Sequence, residues 1–211
     1  ALRICALCCL CIVREVEASS IANQMDTLNT QRQKIQNKIV SECRGKIDEM
    51  KDLEGHRTIV LSDPQWHRGV VGIVASKIVD EYYRPTLIFT DEGDLLKGSG
   101  RSIDGFDLYN ALFDLSDLLM QFGGHEYAAG ITLESKNIEA FCDKFEELAR
   151  KKIDTKDMIP KIEVDTKLGL ESINPQTLKD IEMLLPFGHK NPQPIFWAGP
   201  VKVVFSKVVG N

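Results

Sequence analysis

The sequence predicts an α/β fold with a mixed sheet, and three observations carry that prediction. Short apolar runs bounded by turn residues alternate with longer stretches of helical period. Asp91-Glu92-Gly93-Asp94 reads as a hairpin turn between two of those runs. The resulting order, up to about residue 152, is strand, helix, hairpin, helix, strand, helix. The chain has 211 residues, 43% hydrophobic and 27% charged. That composition is ordinary for a globular protein of one large domain or one and a half smaller ones.

In chain order, residues 14–50 read as one long helix. Ile21, Met25, Leu28, Ile35 and Ile39 form a narrow apolar stripe on it. No proline interrupts it, and the first glycine is Gly45. So narrow a stripe on so long a helix suits a connector between domains. Thr58 to Leu61 is a short buried strand, and Ser62-Asp63-Pro64 turns the chain. Trp66-His67-Arg68-Gly69 leads into a helix from Val70 to Tyr83, which Arg84-Pro85 stops. Thr86 to Thr90 and Leu95 to Ser102 are the arms of the hairpin. Phe106, Leu108, Leu112, Leu115, Leu118 and Leu119 recur at helical spacing. Ala128 to Leu133 is a fourth strand, and Ser135 is placed to cap a helix running to about Lys152.

Asp154 to Met158 is polar and reads as a linker. Ile162 to Leu168 follows as a strand. Asn174-Pro175 opens a helix with Asn as N-cap and Pro at its first position, and Pro186 ends it. Ile195 to Val209 holds one or two further strands. There is no internal repeat and no low-complexity segment.

Net charge is −5. That excludes a non-specific nucleic-acid coat, so any grip on a phosphate backbone must be a local patch. Four of the six cysteines, Cys5, Cys8, Cys9 and Cys11, crowd the N-terminus, while Cys43 and Cys142 stand alone. Cys5 and Cys8 have C-x-x-C spacing, yet no second knuckle follows as zinc sites require. Reduced thiols packed as small hydrophobes are the other reading. The first thirteen residues are apolar apart from Arg3, too short a run to span a bilayer. They read either as a signal peptide or as a helix whose covering domain is elsewhere. The first residue is Ala rather than Met, and the expectation is a fragment of a longer protein.

The stretch with chemical content is Gly98 to Gly130. It opens with Gly98-Ser99-Gly100-Arg101-Ser102 and closes with Gly123-Gly124-His125 and on to Gly130. Arginine offers a planar fork for phosphate oxygens, serine a hydroxyl, and glycine lets backbone N–H groups come close. Together they suit an anion pocket. Ser99 and Arg101, two residues apart in an extended segment, should share one face. The loop carrying Gly123, Gly124 and His125 should meet that face. His67 and Arg68, ahead of a helix N-terminus, form a second candidate anion site. For each motif alone, tight turns and an arginine paired with a surface carboxylate remain the competing explanation. Trp66 fits the core better than a stacked base.

These residues also carry a resemblance. GRSIDGFDL followed by FGGHEYAAGITL resembles the DHH-associated domain of the RecJ family of single-stranded-DNA-specific exonucleases. Leu61 to Phe89 upstream is similar to that family's strand, His-x-Gly turn and helix. LLPFGHKNPQPIF (184–196) resembles the start of its OB-fold. The resemblance implies connector helices over 1–54, a mixed-sheet DHH-associated substrate domain over 55–153, and a partial OB-like β segment over 154–211. A five-stranded OB barrel needs more strands than remain. It further implies a cytoplasmic 5′-to-3′ exonuclease that uses Mn or Mg. Ser99 and Arg101 match positions that hold the DNA 5′-phosphate, with His125 at the mouth.

The family's metal site lies in a DHH domain bearing an Asp-His-His run. No such run occurs here, and the four histidines are isolated from one another. The expectation is therefore a substrate-gripping part without catalytic or metal-binding residues of its own. Its partners would be single-stranded DNA and a DHH domain outside this chain, with no membrane involved. Other DHH phosphoesterases, acting on short oligonucleotides or cyclic dinucleotides, share GGHxxAAG. A non-catalytic module that docks a repair partner is the third alternative.

Overall fold

The computed structural model describes residues 15–50, 52–188 and 190–207. The expectations for residues 1–13, with Cys5, Cys8, Cys9 and Cys11, and for His189 lie outside the described residues. The chain divides into two units, residues 1–159 and 160–211.

In the first unit, helix α1 (Glu15–Asp48) is the long helix expected from the sequence. Only its C-terminal half is covered: Ile39, Val40, Cys43 and Ile47 are buried, while Leu28 stays exposed. The apolar spacing of four and three residues keeps that buried stripe on one face. It packs on helix α2 (Val71–Tyr82) through Val71, Val74, Ala75 and Ile78. A bidentate Arg44–Glu81 pair at 2.8–3.0 Å ties the two helices at their rim. Trp66 is 3% exposed and donates its indole N–H to Glu42 at 2.9 Å, so it belongs to this core.

The sheet has five strands: β1 (Ile59–Ser62), β2 (Thr86–Asp91), β3 (Leu95–Arg101), β4 (Gln121–His125) and β5 (Ala128–Glu134). Their spatial order is β1-β2-β3-β5-β4. β1 and β2, joined through α2, are parallel; the remaining pairs are antiparallel, so the sheet is mixed. The β2–β3 hairpin turns at Asp91–Asp94, closed by Glu92 N donating to the Leu95 carbonyl.

Three expectations fail here, the first two for one reason. The helix expected over Phe106–Leu119 is only α3 (Leu108–Asp114), followed by a 3-10 turn at Ser116–Leu118. The segment Gly123-Gly124-His125, expected as a loop, is the end of an edge strand. The cause is the same in both cases. The outer edge of β5 needs hydrogen-bond partners, and Met120 N already donates to the Thr132 carbonyl. Tertiary pairing thus ends the helix early and pulls the glycines into the ladder. Ser135 likewise does not cap helix α4 (Ile138–Lys152); its hydroxyl donates to the Gly93 carbonyl across the hairpin.

One face of the sheet packs on α3 and α4. Phe89, Phe106, Phe141 and Phe145 are fully buried there, with edge-on ring pairs between Phe89 and Phe141 and between Phe106 and Phe145. Each such ring contributes roughly 1.5–3 kcal/mol by burial. The opposite face is covered by α2, which lies over β1, β2 and the Ser99–Arg101 end of β3. Exposed Gly123, Gly130 and His125 mark its β5–β4 half as open to solvent.

In the second unit, β6 (Thr166–Lys167) pairs in parallel with β7 (Phe196–Trp197), and Lys167 lies over the Trp197 ring at 5.0 Å. Helix α5 (Pro175–Glu182) begins as expected, its N-cap Asn174 accepting from the N–H groups of Gln176 and Thr177. The strands expected over Ile162–Leu168 and Ile195–Val209 shrink to two residues each. Residues 201–207 find no strand partner among the described residues, and Val203, Val204 and Phe205 are exposed.

Candidate nucleic-acid interface

Strand alternation sorts the glycine-rich segment into two faces. Lys97, Ser99 and Arg101 of β3 point to the open face. Leu96, Gly98 and Gly100 point into the core. Directly opposed residues then form three rows across the open face: Lys97–Thr132–Gln121, Ser99–Gly130–Gly123 and Arg101–Ala128–His125. The middle row is bare beside Ser99, since a Cβ on Gly123 or Gly130 would meet nothing within 4 Å. A groove of about 360 Å³ lies over it, lined by Arg68 and Val71 on one side and by Lys97, Ser99, Gln121, Gly123, Gly130 and Thr132 below.

Arg101 is held from three directions. Its Nε donates to Ser76 Oγ at 3.1 Å, and Nη1 donates to Ser99 Oγ at 3.0 Å and to the Gly100 carbonyl at 2.7 Å. Partial burial alone lowers its pKa, and no charged neighbour among the described residues offsets that. A half-buried guanidinium normally has a carboxylate partner. Here neutral oxygens fix its orientation and leave its charge unneutralised. Arg101 does not itself line the groove; it stands behind Ser99, which does and to which it donates.

Gly72 of α2 makes room for this. A Cβ there would sit 3.1 Å from Ser99 Oγ and 3.2 Å from Arg101 Nη2. Gly72 and Ser76, one helical turn apart, are therefore positioning residues for Arg101, and sequence reading overlooked both. Their signal was two small residues at i, i+4 in the otherwise apolar first half of a helix. Lys97, Thr132 and Gln121 were overlooked too. Lys97 was within reach of the alternation that pairs Ser99 with Arg101.

Several expected ligands have other roles. Gly98 and Gly100 do not present free N–H groups to the groove, because β3 is an inner strand paired on both edges. They are glycines because a Cβ at Gly98 would lie 2.5 Å from the Phe89 ring, and one at Gly100 2.5 Å from Leu87 Cδ2. Ser102 faces inward, buried, its hydroxyl donating to the Phe106 carbonyl at 2.6 Å. Gly124 has φ of +152° and no room for a Cβ against the Ala128 carbonyl, so its role is to shape the edge strand. Gly123 lines the groove floor. His125 lies at the exposed end of the Arg101 row, two strands or about 10 Å across. Its Nδ1 accepts from Tyr127 N at 3.3 Å. Arg68 lines the groove, whereas His67 is exposed outside its lining and accepts from Gly69 N at 3.1 Å.

Among the described residues no three His, Cys, Asp or Glu side chains converge as a metal site.

Comparison with known proteins bears on the family of the chain. Residues 55–151 match the DHHA1 domain model, and residues 164–211 match the RecJ OB domain model. The single-stranded-DNA-specific exonuclease RecJ of Bacillus subtilis is 40% identical over 182 residues, 84% of this chain and 23% of the relative. RecJ of Escherichia coli is 33% identical over 205 residues, 92% of this chain and 35% of the relative. The chain thus spans about a quarter to a third of the curated relatives it matches. The crystal structure of Thermus thermophilus RecJ in complex with Mg2+ superposes with a TM-score of 0.78 at 29% identity, over 91% of this chain and 29% of that one. A mixed-sheet unit that superposes on a RecJ structure, two domain models in chain order and relatives matched along most of the chain converge: this chain belongs to the RecJ family, through its DHHA1 and RecJ OB domains.

Proposed function

We propose that this chain is the substrate-holding part of a RecJ-type exonuclease, and that the groove over Ser99, Gly123 and Gly130 receives the 5′-phosphate of single-stranded DNA. The observation that carries this reading is Arg101: oriented by Ser76 and Ser99, half-buried, and without an anionic partner among the described residues. A terminal phosphate would take its charge-assisted hydrogen bonds from Nη2, whose N–H groups are not engaged by Ser76, Ser99 or Gly100, and Ser99 would add its hydroxyl. The bare floor at Gly123 and Gly130 leaves room for the attached sugar.

Two RecJ structures from Thermus thermophilus are described as complexes with Mg2+ and with Mn2+. The described residues offer no donor set that fits either ion. Hydrolysis is accordingly assigned to a DHH domain outside this chain, which is also the partner expected for the exposed half of α1. The buried free Cys43 and the free Cys142, both with thiol pKa values raised by burial, suit a cytoplasmic protein. No described helix is long and apolar enough to cross a membrane.

The test is Arg101→Ala in the full-length enzyme. Loss of the charge-assisted contact should weaken 5′-phosphorylated substrate by roughly 1.5–3 kcal/mol, on the order of ten- to a hundredfold. A 5′-hydroxyl substrate should lose much less. Arg101→Lys should rescue only in part, since lysine keeps the charge and not the fork. Equal damage to both substrates would leave Arg101 a structural residue.

A further inference from the structure

At the hairpin end of the groove the open face carries a second group of charges. Lys97 Nζ lies 2.5 Å from Glu92 Oε2, and Arg68 Nη1 lies 3.7 Å from Glu92 Oε1. Both cations line the groove. No other carboxylate among the described residues pairs with either. Glu92 reaches them from the β2–β3 turn, whereas its neighbour Asp91 turns back to accept from Gly93 N at 2.8 Å.

We propose that Lys97 and Arg68 form a second phosphate subsite, which the Glu92 carboxylate fills until a phosphate of the ligand displaces it. The inference rests on the reading of Arg101 as the first subsite. Lysine and arginine bind carboxylate and phosphate oxygens through the same charge-assisted hydrogen bonds, so Glu92 occupies the place of an anionic ligand. Lys97 stands one strand period from Ser99, about 6.6 Å along β3 on the same face. Thr132 and Gln121, opposed to Lys97 in register, add a hydroxyl and an amide on the same row. A ligand with a single phosphate fills the Arg101 subsite and leaves Glu92 in place. A ligand with two phosphates in series fills both and expels it. The second phosphate has two possible sources, the next phosphodiester of a strand or the outer phosphate of a 5′-diphosphate.

The experiment is calorimetric titration of the chain and its variants with thymidine 5′-monophosphate, 5′-phosphorylated dithymidylate and thymidine 5′-diphosphate. Glu92→Gln should tighten a two-phosphate ligand about two- to fivefold, the scale of one solvent-accessible ion pair. It should leave the monophosphate within error. Adding Lys97→Ala to Glu92→Gln should remove the gain. A gain confined to the dinucleotide assigns the subsite to the phosphodiester, and one confined to the diphosphate assigns it to a 5′-terminal group. Equal tightening of all three ligands, or none of any, overturns the second subsite. Arg101→Ala tests the first subsite separately, because it should weaken the monophosphate as well. If it does so while Glu92→Gln has no effect, only the second subsite falls. If none of the ligands binds any variant, both fall.

Discussion

Gly72→Ala should strengthen the fold and weaken the site, two effects that a merely structural role cannot combine. Gly72 is the second residue of α2, and alanine gains up to about 1 kcal/mol over glycine in a helix, less in the first turn. The added methyl would lie 3.1 Å from Ser99 Oγ and 3.2 Å from Arg101 Nη2. Both are ends of side chains, so they can give by a few tenths of an ångström, and the helix itself need not move. The displaced guanidinium then loses alignment with Ser99, to which it donates at 3.0 Å. Half of a charge-assisted contact is about 1 kcal/mol, or roughly fivefold in affinity for a 5′-phosphorylated strand. Urea unfolding gives the first quantity, and competition between 5′-phosphoryl and 5′-hydroxyl oligonucleotides gives the second. An unchanged phosphate preference would refute the idea that α2 sets the position of Arg101. A destabilisation above about 1 kcal/mol would show that the methyl strains the backbone instead.

Gly100→Ala should do the opposite: its Cβ falls 2.5 Å from Leu87 and 2.8 Å from Leu108 in the core, so stability should drop by about 1–3 kcal/mol while the ratio of 5′-phosphoryl to 5′-hydroxyl binding stays fixed. Glu146 accepts from the backbone N–H of Arg57 and Thr58, from Thr58 Oγ and from Arg150 Nε; burial alone would raise its pKa, but these hydrogen bonds outweigh burial and lower it. Its contribution is therefore complete above the unfolded pKa, about 4.3, and is lost as pH falls through the lower folded value; Glu146→Gln should destabilise the chain near neutral pH by about 1–3 kcal/mol and flatten the acid limb of its stability curve. Ser102→Ala should reduce stability by about 1 kcal/mol without touching phosphate selectivity, since its hydroxyl serves the Phe106 carbonyl. The isolated chain, purified free of other nucleases and supplied with manganese and 5′-phosphorylated single-stranded DNA, should release no nucleotides; processive release would contradict the assignment of hydrolysis to a separate domain.

Much of the fold was legible because local signals and tertiary demands agreed. The long α1, the α2 helix stopped at Arg84-Pro85, the hairpin at Gly93 and the Asn174 cap each follow from residues in their own segment. The shared face of Ser99 and Arg101 follows from strand period alone. What was not legible depends on distant partners. Leu115, Leu118 and Leu119 have helical spacing, yet β5 claims the chain after Asp114 for an edge strand. Gly98 and Gly100 look like phosphate-approach glycines and are instead packing glycines, because the residues that exclude a Cβ, Phe89 and Leu87, sit on a neighbouring strand. Gly72 and Ser76 gain meaning only once α2 lies across β3. Short strands such as β6 and β7 hold whatever register their partners supply, and the alternation in 162–168 and 195–209 does not state how many partners there are.

The most direct test of the central claim is the position of the phosphate itself. A crystal structure of the chain soaked with 5′-phosphorylated dithymidylate should place the terminal phosphate within hydrogen-bond distance of the Arg101 guanidinium and Ser99 Oγ, over the floor of Gly123 and Gly130. A well-defined dinucleotide bound elsewhere, or bound in the groove with its 5′-phosphate directed away from Arg101, would contradict it.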